Sequence, residues 1–157
     1  AFHSWVEEHF GTEALFDLDD EAVYQDQEHV EGPDLEGLKA QFLKSEWAHR
    51  SPAFVEAPVE TRIGPVSVRG RIDAVFRDAD GRWDLVDWKT GRQPSAKELP
   101  KKALQLAVYR LGWARLHDID VDQIDAAFYY VKTGKTVRPH SLAGEQELEE
   151  MIASLLG

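Results

Sequence analysis

Three successive β-rich stretches divided by two short turns constrain this chain more than any other feature. Residues 55–63, 66–77 and 83–88 are rich in β-branched and aromatic side chains, and turn chemistry bounds each of them. Ile63-Gly64-Pro65 separates the first two stretches, and Asp78-Ala79-Asp80-Gly81 joins the second to the third as a hairpin. Helical periodicity flanks this block. Phe2, Trp5, Val6, His9 and Phe10 recur at three- and four-residue spacing, which predicts an amphipathic helix ending near Gly11 with His3 beside its apolar stripe. Asp34 is the expected N-cap of a second helix carrying Leu35, Leu38, Phe42 and Trp47 to about Arg50, closed by Ser51-Pro52. A third helix is expected from Ser95 or Ala96 to about His117, with Pro100 in its first turn or just ahead of it. A strand over 124–132, a short return strand over 136–138 and a terminal helix from Gly144 or Glu145 to Leu156 complete the order. That order predicts an α/β or α+β sandwich built on a mixed sheet.

A length of 157 residues fits a single domain over residues 1–157. The chain opens at Ala1 inside what reads as a helix, the pattern expected of a segment excised from a larger protein. With no cysteine, a disulfide, a thiolate zinc site, a cysteine-held iron–sulfur cluster and a cysteine nucleophile are all excluded for this segment. No run approaches the roughly 18 apolar residues of a membrane span, and no leader pattern is present, so no membrane partner and a cytoplasmic location are expected.

The net charge of −11 is unevenly distributed. Twelve acidic residues and no Lys or Arg lie in residues 1–38, and the acidic side chains between Thr12 and Gly32 interrupt any period, predicting a solvated loop with at most a short helix. Residues 89–110 are the reverse. Lys89, Arg92, Lys97, Lys101, Lys102 and Arg110 face Glu98 alone and form a local basic patch.

The chemistry-bearing residues lie on the hairpin. Asp87 and Lys89 are two apart on one strand, so both emerge on one face while Trp88 points to the other. Asp73 and Asp87 are about seven residues either side of the turn and therefore nearly opposite one another. Facing carboxylates repel unless something neutralises them, and a divalent cation held by carboxylate oxygens would do so. Lys89 on the same face could orient a water and stabilise charge at a phosphate. These residues outline a hydrolytic phosphodiester site.

Gly70-Arg71-Ile72-Asp73, the hairpin, Val86-Asp87-Trp88-Lys89-Thr90-Gly91 and Gln105-Leu106-Ala107-Val108-Tyr109 together closely resemble the RecB-like branch of the PD-(D/E)XK nuclease superfamily. That branch includes the nuclease domains of bacterial helicase–nucleases of the RecB, AddAB and AdnAB group. The opening Ala1-Phe2-His3-Ser4-Trp5-Val6-Glu7 is similar to the histidine-bearing helix of that branch. The resemblance implies an α/β, restriction-endonuclease-like mixed sheet flanked by helices, and dependence on Mg²⁺ or Mn²⁺. Asp73 and Asp87 match the metal-binding acids, with the Trp88 backbone carbonyl a further ligand. His3 matches the branch's metal-ligating histidine and Lys89 the catalytic lysine. Gln105 and Tyr109 match its glutamine–tyrosine helix motif, suited to supporting the site or touching a phosphate. Glu60 is a candidate additional acid on the preceding strand. The superfamily's named proline is Ile72 here.

The resemblance further implies DNA repair or recombination, with single-stranded DNA supplied by a helicase motor on the same or a partner chain and the protein associated with the nucleoid. Arg92, Lys97, Lys101 and Lys102 are the expected DNA-binding patch. Given its overall charge, the isolated chain is expected to bind DNA weakly, with steep salt dependence. Two alternatives compete: a non-catalytic nuclease-fold module for DNA binding or subunit contact, and an acidic interaction domain whose hairpin carboxylates are structural. Thr133-Gly134-Lys135-Thr136 does not make an ATP site, because glycine is missing at Tyr129 and Val137-Arg138-Pro139 cannot open a helix.

Overall fold

The computed structural model describes residues 1–10 and 33–156. A five-stranded sheet runs in the order β1 (Phe54–Ile63), β2 (Val66–Arg77), β3 (Trp83–Lys89), β4 (Ile124–Tyr130) and β5 (Lys135–Val137). Among the described residues only β3 and β4 pair in parallel. A parallel neighbour needs a crossover, and helix α3 (Leu99–His117) supplies it between those two strands. Helices α1 (Phe2–His9) and α2 (Pro33–Leu43) cover one face of the sheet. Helix α3 covers the other face, with α4 (Glu145–Leu156) beside it. The expected mixed α/β sheet between helices is therefore present.

Each turn forms for a local reason. Gly64 and Gly81 take φ of 59° and 89°, values that suit glycine, and the Gly81 N–H donates to the Asp78 carbonyl to close the β2–β3 hairpin. Ahead of α3, Ser95 and Glu98 exchange side-chain bonds with each other's backbone N–H, the reciprocal pattern of a capping box. The regular helix starts at Leu99, a turn later than the apolar period suggests, with Pro100 in its first turn where no N–H is needed. Helix α3 ends at Asp118 in the left-handed conformation, whose N–H returns to the Ala114 carbonyl.

The second helix stops earlier than its hydrophobic pattern predicts. Ser45 Oγ donates to the Phe42 carbonyl and accepts from the Ala48 N–H, so the chain leaves the helix and re-forms as a 3₁₀ turn over Trp47–His49. Trp47 is still buried, as the pattern requires, and its Nε1 donates to Thr136 Oγ1 on β5. This helix includes Asp34, so Asp34 is not its cap. The first helix ends at His9, and β4 ends at Tyr130 because Val131 to Gly134 make the turn into β5. The glycine-lysine segment at Gly134 is that hairpin, leading into the expected short return strand. The acidic stretch 12–32, with His29, lies outside the described residues.

Two hydrophobic layers sandwich the sheet. On one side Phe2, Val6, Leu38, Phe42 and Trp47 pack on Ala74, Phe76, Val86, Trp88 and Tyr129. On the other, Leu106, Tyr109 and Trp113 of α3 pack on Ile72, Val75, Leu85, Phe128 and Tyr130. β2 changes character along its length: its first half alternates between partly covered and exposed residues, whereas Arg71 to Phe76 are buried on both faces. Asp73 lies inside that doubly covered half.

Gly112 lets α3 approach β1, since a Cβ there would lie 2.3 Å from Val59 Cγ2. Gly112→Ala should therefore overpack the helix–sheet contact and lower stability by about 1–3 kcal/mol in denaturant unfolding. Unchanged stability would show that the helix rests less tightly on the sheet.

Candidate active site

The β2–β3 ladder ends with Ala74 opposite Val86. One step further stand Asp73 and Asp87, where the two strands part. Instead of a backbone bond, the Trp88 N–H donates to Asp73 Oδ2 at 2.7 Å. The anticipated facing of the two carboxylates therefore holds, with Asp73 serving as a side-chain extension of the ladder. Both are buried.

Cationic side chains reach this pair from both sides of the sheet. From α1, His3 Nε2 lies 3.4 Å from Asp73 Oδ2 and 3.1 Å from the Trp88 carbonyl oxygen. T-shaped contact with Phe2 and burial hold the ring in place. On the α3 side, Lys89 Nζ lies 2.9 Å from Asp87 Oδ2 and donates to Gln105 Oε1 at 3.2 Å. Gln105 Nε2 in turn donates to the Tyr109 hydroxyl at 3.1 Å. Tyr109 packs over Gly70, where a Cβ would meet its ring at 2.9 Å. The glycine, the helix pair and the lysine thus form one continuous support for Asp87.

Burial and like charge set the protonation. Asp87 is pushed up to about 7, first by desolvation and then by the Asp73 charge, against the pull of Lys89 and His3. Burial draws the His3 pKa down, yet the Asp73 carboxylate beside it, with smaller help from Asp87 and Glu56, leaves it raised. Lys89 is likewise raised overall, because Asp87 outweighs its burial, so it stays an ammonium. Burial, and then the Asp87 charge, push the Tyr109 hydroxyl up, so it stays protonated.

His3, Asp73, Asp87, Trp88, Lys89, Gln105 and Tyr109 therefore converge at one place. Glu60 does not: it is exposed on β1, pairs in register with Arg69 and accepts from Ser67 Oγ at 3.1 Å. Hairpin counting about Gly64-Pro65 explains the miss, because the β1 residue opposite Asp73 is Glu56. Glu56 is buried, as is its neighbour Arg71, and no hydrophobic period points to either. Tyr130, in register with Lys89 on β4, is a further member, raised in pKa by burial. Of the basic patch, Lys97, Lys101 and Lys102 are exposed near the start of α3, while Arg92 is engaged by Glu98 at 3.3 Å.

The PD-(D/E)XK nuclease superfamily pattern matches residues 1–156, which include the hairpin, the histidine helix and α3. The chain belongs to the PD-(D/E)XK nuclease superfamily. No curated protein matches the sequence at a significant level. No helix among the described residues is long and apolar enough to cross a membrane.

The donor set fits what a PD-(D/E)XK nuclease needs for a divalent cation. Two buried carboxylates, a backbone carbonyl and an imidazole nitrogen lie together, and the upward shift of Asp87 comes first from burial and then from the Asp73 charge, both of which a bound cation would offset. Among the described residues no three His, Asp or Glu side chains are already spaced around a common cation position. His3 and Lys89 instead stand against the two carboxylates.

The metal-free chain should show an Asp87 carboxyl that titrates by NMR near the value of about 7, and Asp73→Asn should lower that midpoint. Because the folded state holds this proton more tightly than the unfolded chain, stability should fall as pH rises from the ordinary 3.8 to about 7. The raised His3 acts in the same direction, its contribution being full below its unfolded 6.5 and lost as pH rises through the folded value. An Asp87 midpoint near 4 would contradict this electrostatic picture.

Proposed function

We propose that this chain is a divalent-metal-dependent deoxyribonuclease domain that hydrolyses phosphodiester bonds in DNA. The observation that carries the reading is the pair of buried carboxylates at the parting of β2 and β3, with Lys89 on the same face, in a PD-(D/E)XK chain. Asp73, Asp87, the Trp88 carbonyl and His3 would hold Mg²⁺ or Mn²⁺. A bound cation supplies a lowered water pKa and charge neutralisation at the phosphate.

The chain's own residues do the rest. Lys89, kept protonated beside Asp87 and steadied by Gln105, offers N–H donors that orient the attacking water and offset charge on the phosphoryl oxygens. Water adds at phosphorus, the bond to the leaving oxygen breaks, and that oxygen takes up a proton. Tyr109 keeps Gln105 in place and stays protonated itself. Lys97, Lys101 and Lys102 are exposed near the start of α3 and would attract the phosphate backbone.

His3 on the opening helix and the Gln105–Tyr109 pair support the RecB-like branch and, with it, a domain of a helicase–nuclease acting on single-stranded DNA in repair or recombination. In that setting the motor supplies most of the DNA affinity, which suits a chain of charge −11. The protein would then work with the nucleoid in the cytoplasm.

Labelled single-stranded DNA should be cut in Mn²⁺ or Mg²⁺ and spared in chelator. Asp73→Ala and Lys89→Ala should each lower the rate by at least about a hundredfold, the usual scale for a lost charge-stabilising group. Equal cleavage by wild type and both variants would refute the assignment. No wild-type cleavage, with no Asp73-dependent heat of Mn²⁺ binding in calorimetry, would favour a non-catalytic module.

A further inference from the structure

One residue of β1 has a backbone conformation foreign to a strand. Glu56, the third residue of the strand, has a φ of 49°, whereas Asp118, the other non-glycine residue with positive φ among the described residues, ends a helix. In the β1–β2 register Val55 pairs with Ala74 and Ala57 with Ile72, so Glu56 and Asp73 stand opposite one another and form the pair omitted from the ladder.

The pleat slips at this step on both strands. Ile72 and Val75 both pack on the α3 side although they are three residues apart, while Ala74 packs on the α1–α2 side. On β1, Ala57 packs on the α3 side, and Phe54, three residues before it, meets Trp113 of α3. Residues three apart on a regular strand face opposite ways, so each strand has absorbed a change of phase between those positions. The register stays one-for-one across this step, so no residue is inserted, and the left-handed residue itself shifts the phase of the pleat, a backbone state that is held where it positions a site.

Arg71 closes the kink. Its Nη1 donates to the Glu56 carbonyl oxygen at 3.3 Å and lies 3.9 Å from the Glu56 carboxylate, and both side chains are buried. Asp73 is two residues further along β2. Its carboxylate reaches sideways to the Trp88 N–H and to His3.

We propose that Glu56 and Arg71 are positioning residues for Asp73: the left-handed kink of β1, held by Arg71, sets where the Asp73 carboxylate projects between His3 and the Trp88 N–H. The feature that matters is the backbone conformation at Glu56, with Arg71 as its clamp. Neither residue has to touch substrate.

The Trp88 amide signal in a ¹⁵N–¹H correlation spectrum of the metal-free protein reads this directly, with Asp73→Ala marking its position when the bond is lost. Glu56→Asn tolerates the left-handed conformation and should leave the signal near its wild-type position. Glu56→Val opposes that conformation and Arg71→Met removes the clamp, so both should move the signal toward the Asp73→Ala position. A folded Glu56→Val protein with an unmoved signal would overturn the proposal, as would Glu56→Asn shifting as far as Glu56→Val. Should Glu56→Val not fold, Arg71→Met decides, because it removes the Nη1 contacts to Glu56: the signal moves if the proposal holds and stays if it fails.

A second arm rests on the metal-nuclease reading. Mn²⁺ affinity should fall about 10- to 100-fold in Glu56→Val, and Glu56→Asn should restore most of it. Wild-type protein that binds no Mn²⁺ would count against that reading, while the amide signal would still decide the positioning role.

Discussion

The bond from the Trp88 N–H to the Asp73 carboxylate is the interaction on which the site depends. It lies where the β2–β3 ladder stops, so it fastens two diverging strands with a side chain where a carbonyl would serve in a continuous sheet. Continued pairing would have closed the gap between the strands. A parting with no such bond would have left a buried N–H without its acceptor, a state proteins avoid. Asp73 satisfies the donor and still places its charge next to Asp87.

Everything around that bond balances charge. Three carboxylates, Glu56, Asp73 and Asp87, are buried close to Arg71, His3 and Lys89 respectively, each cation coming from a different part of the scaffold. Burying several ions together is a poor way to gain stability, because desolvation offsets much of the attraction. Such an arrangement suits function better. The Asp87 pKa is raised by burial and then by the Asp73 charge, and a divalent cation between the carboxylates would favour its ionised form.

Much of this was legible from local chemistry. Counting from the Asp78–Gly81 turn puts Asp73 against Asp87, and the two-residue period puts Asp87 and Lys89 on one face with Trp88 packed behind; the structure shows both. The apolar stripe of α3 predicts its burial, while the Gln105–Tyr109 pair came from the motif resemblance, its four-residue spacing placing both on one helix face. Periodicity cannot tie His3 to a site 70 residues along the chain, and only the motif resemblance brought it in. The end of α2 was hidden because Trp47 continues the apolar pattern while the Ser45 hydroxyl takes over the backbone bonds. Glu60 lies on the right strand but four residues from the position the register sets opposite Asp73, which belongs to Glu56, a residue with no hydrophobic signature.

The most direct test of the account is where a cation sits. Crystals of the chain soaked in Mn²⁺ should give an anomalous difference peak bounded by Asp73, Asp87 and the Trp88 carbonyl, with Lys89 Nζ drawn away from Asp87. A peak confined to other acidic groups, such as Asp78 and Asp80 on the hairpin turn, with His3 and Lys89 still against the two carboxylates, would contradict it.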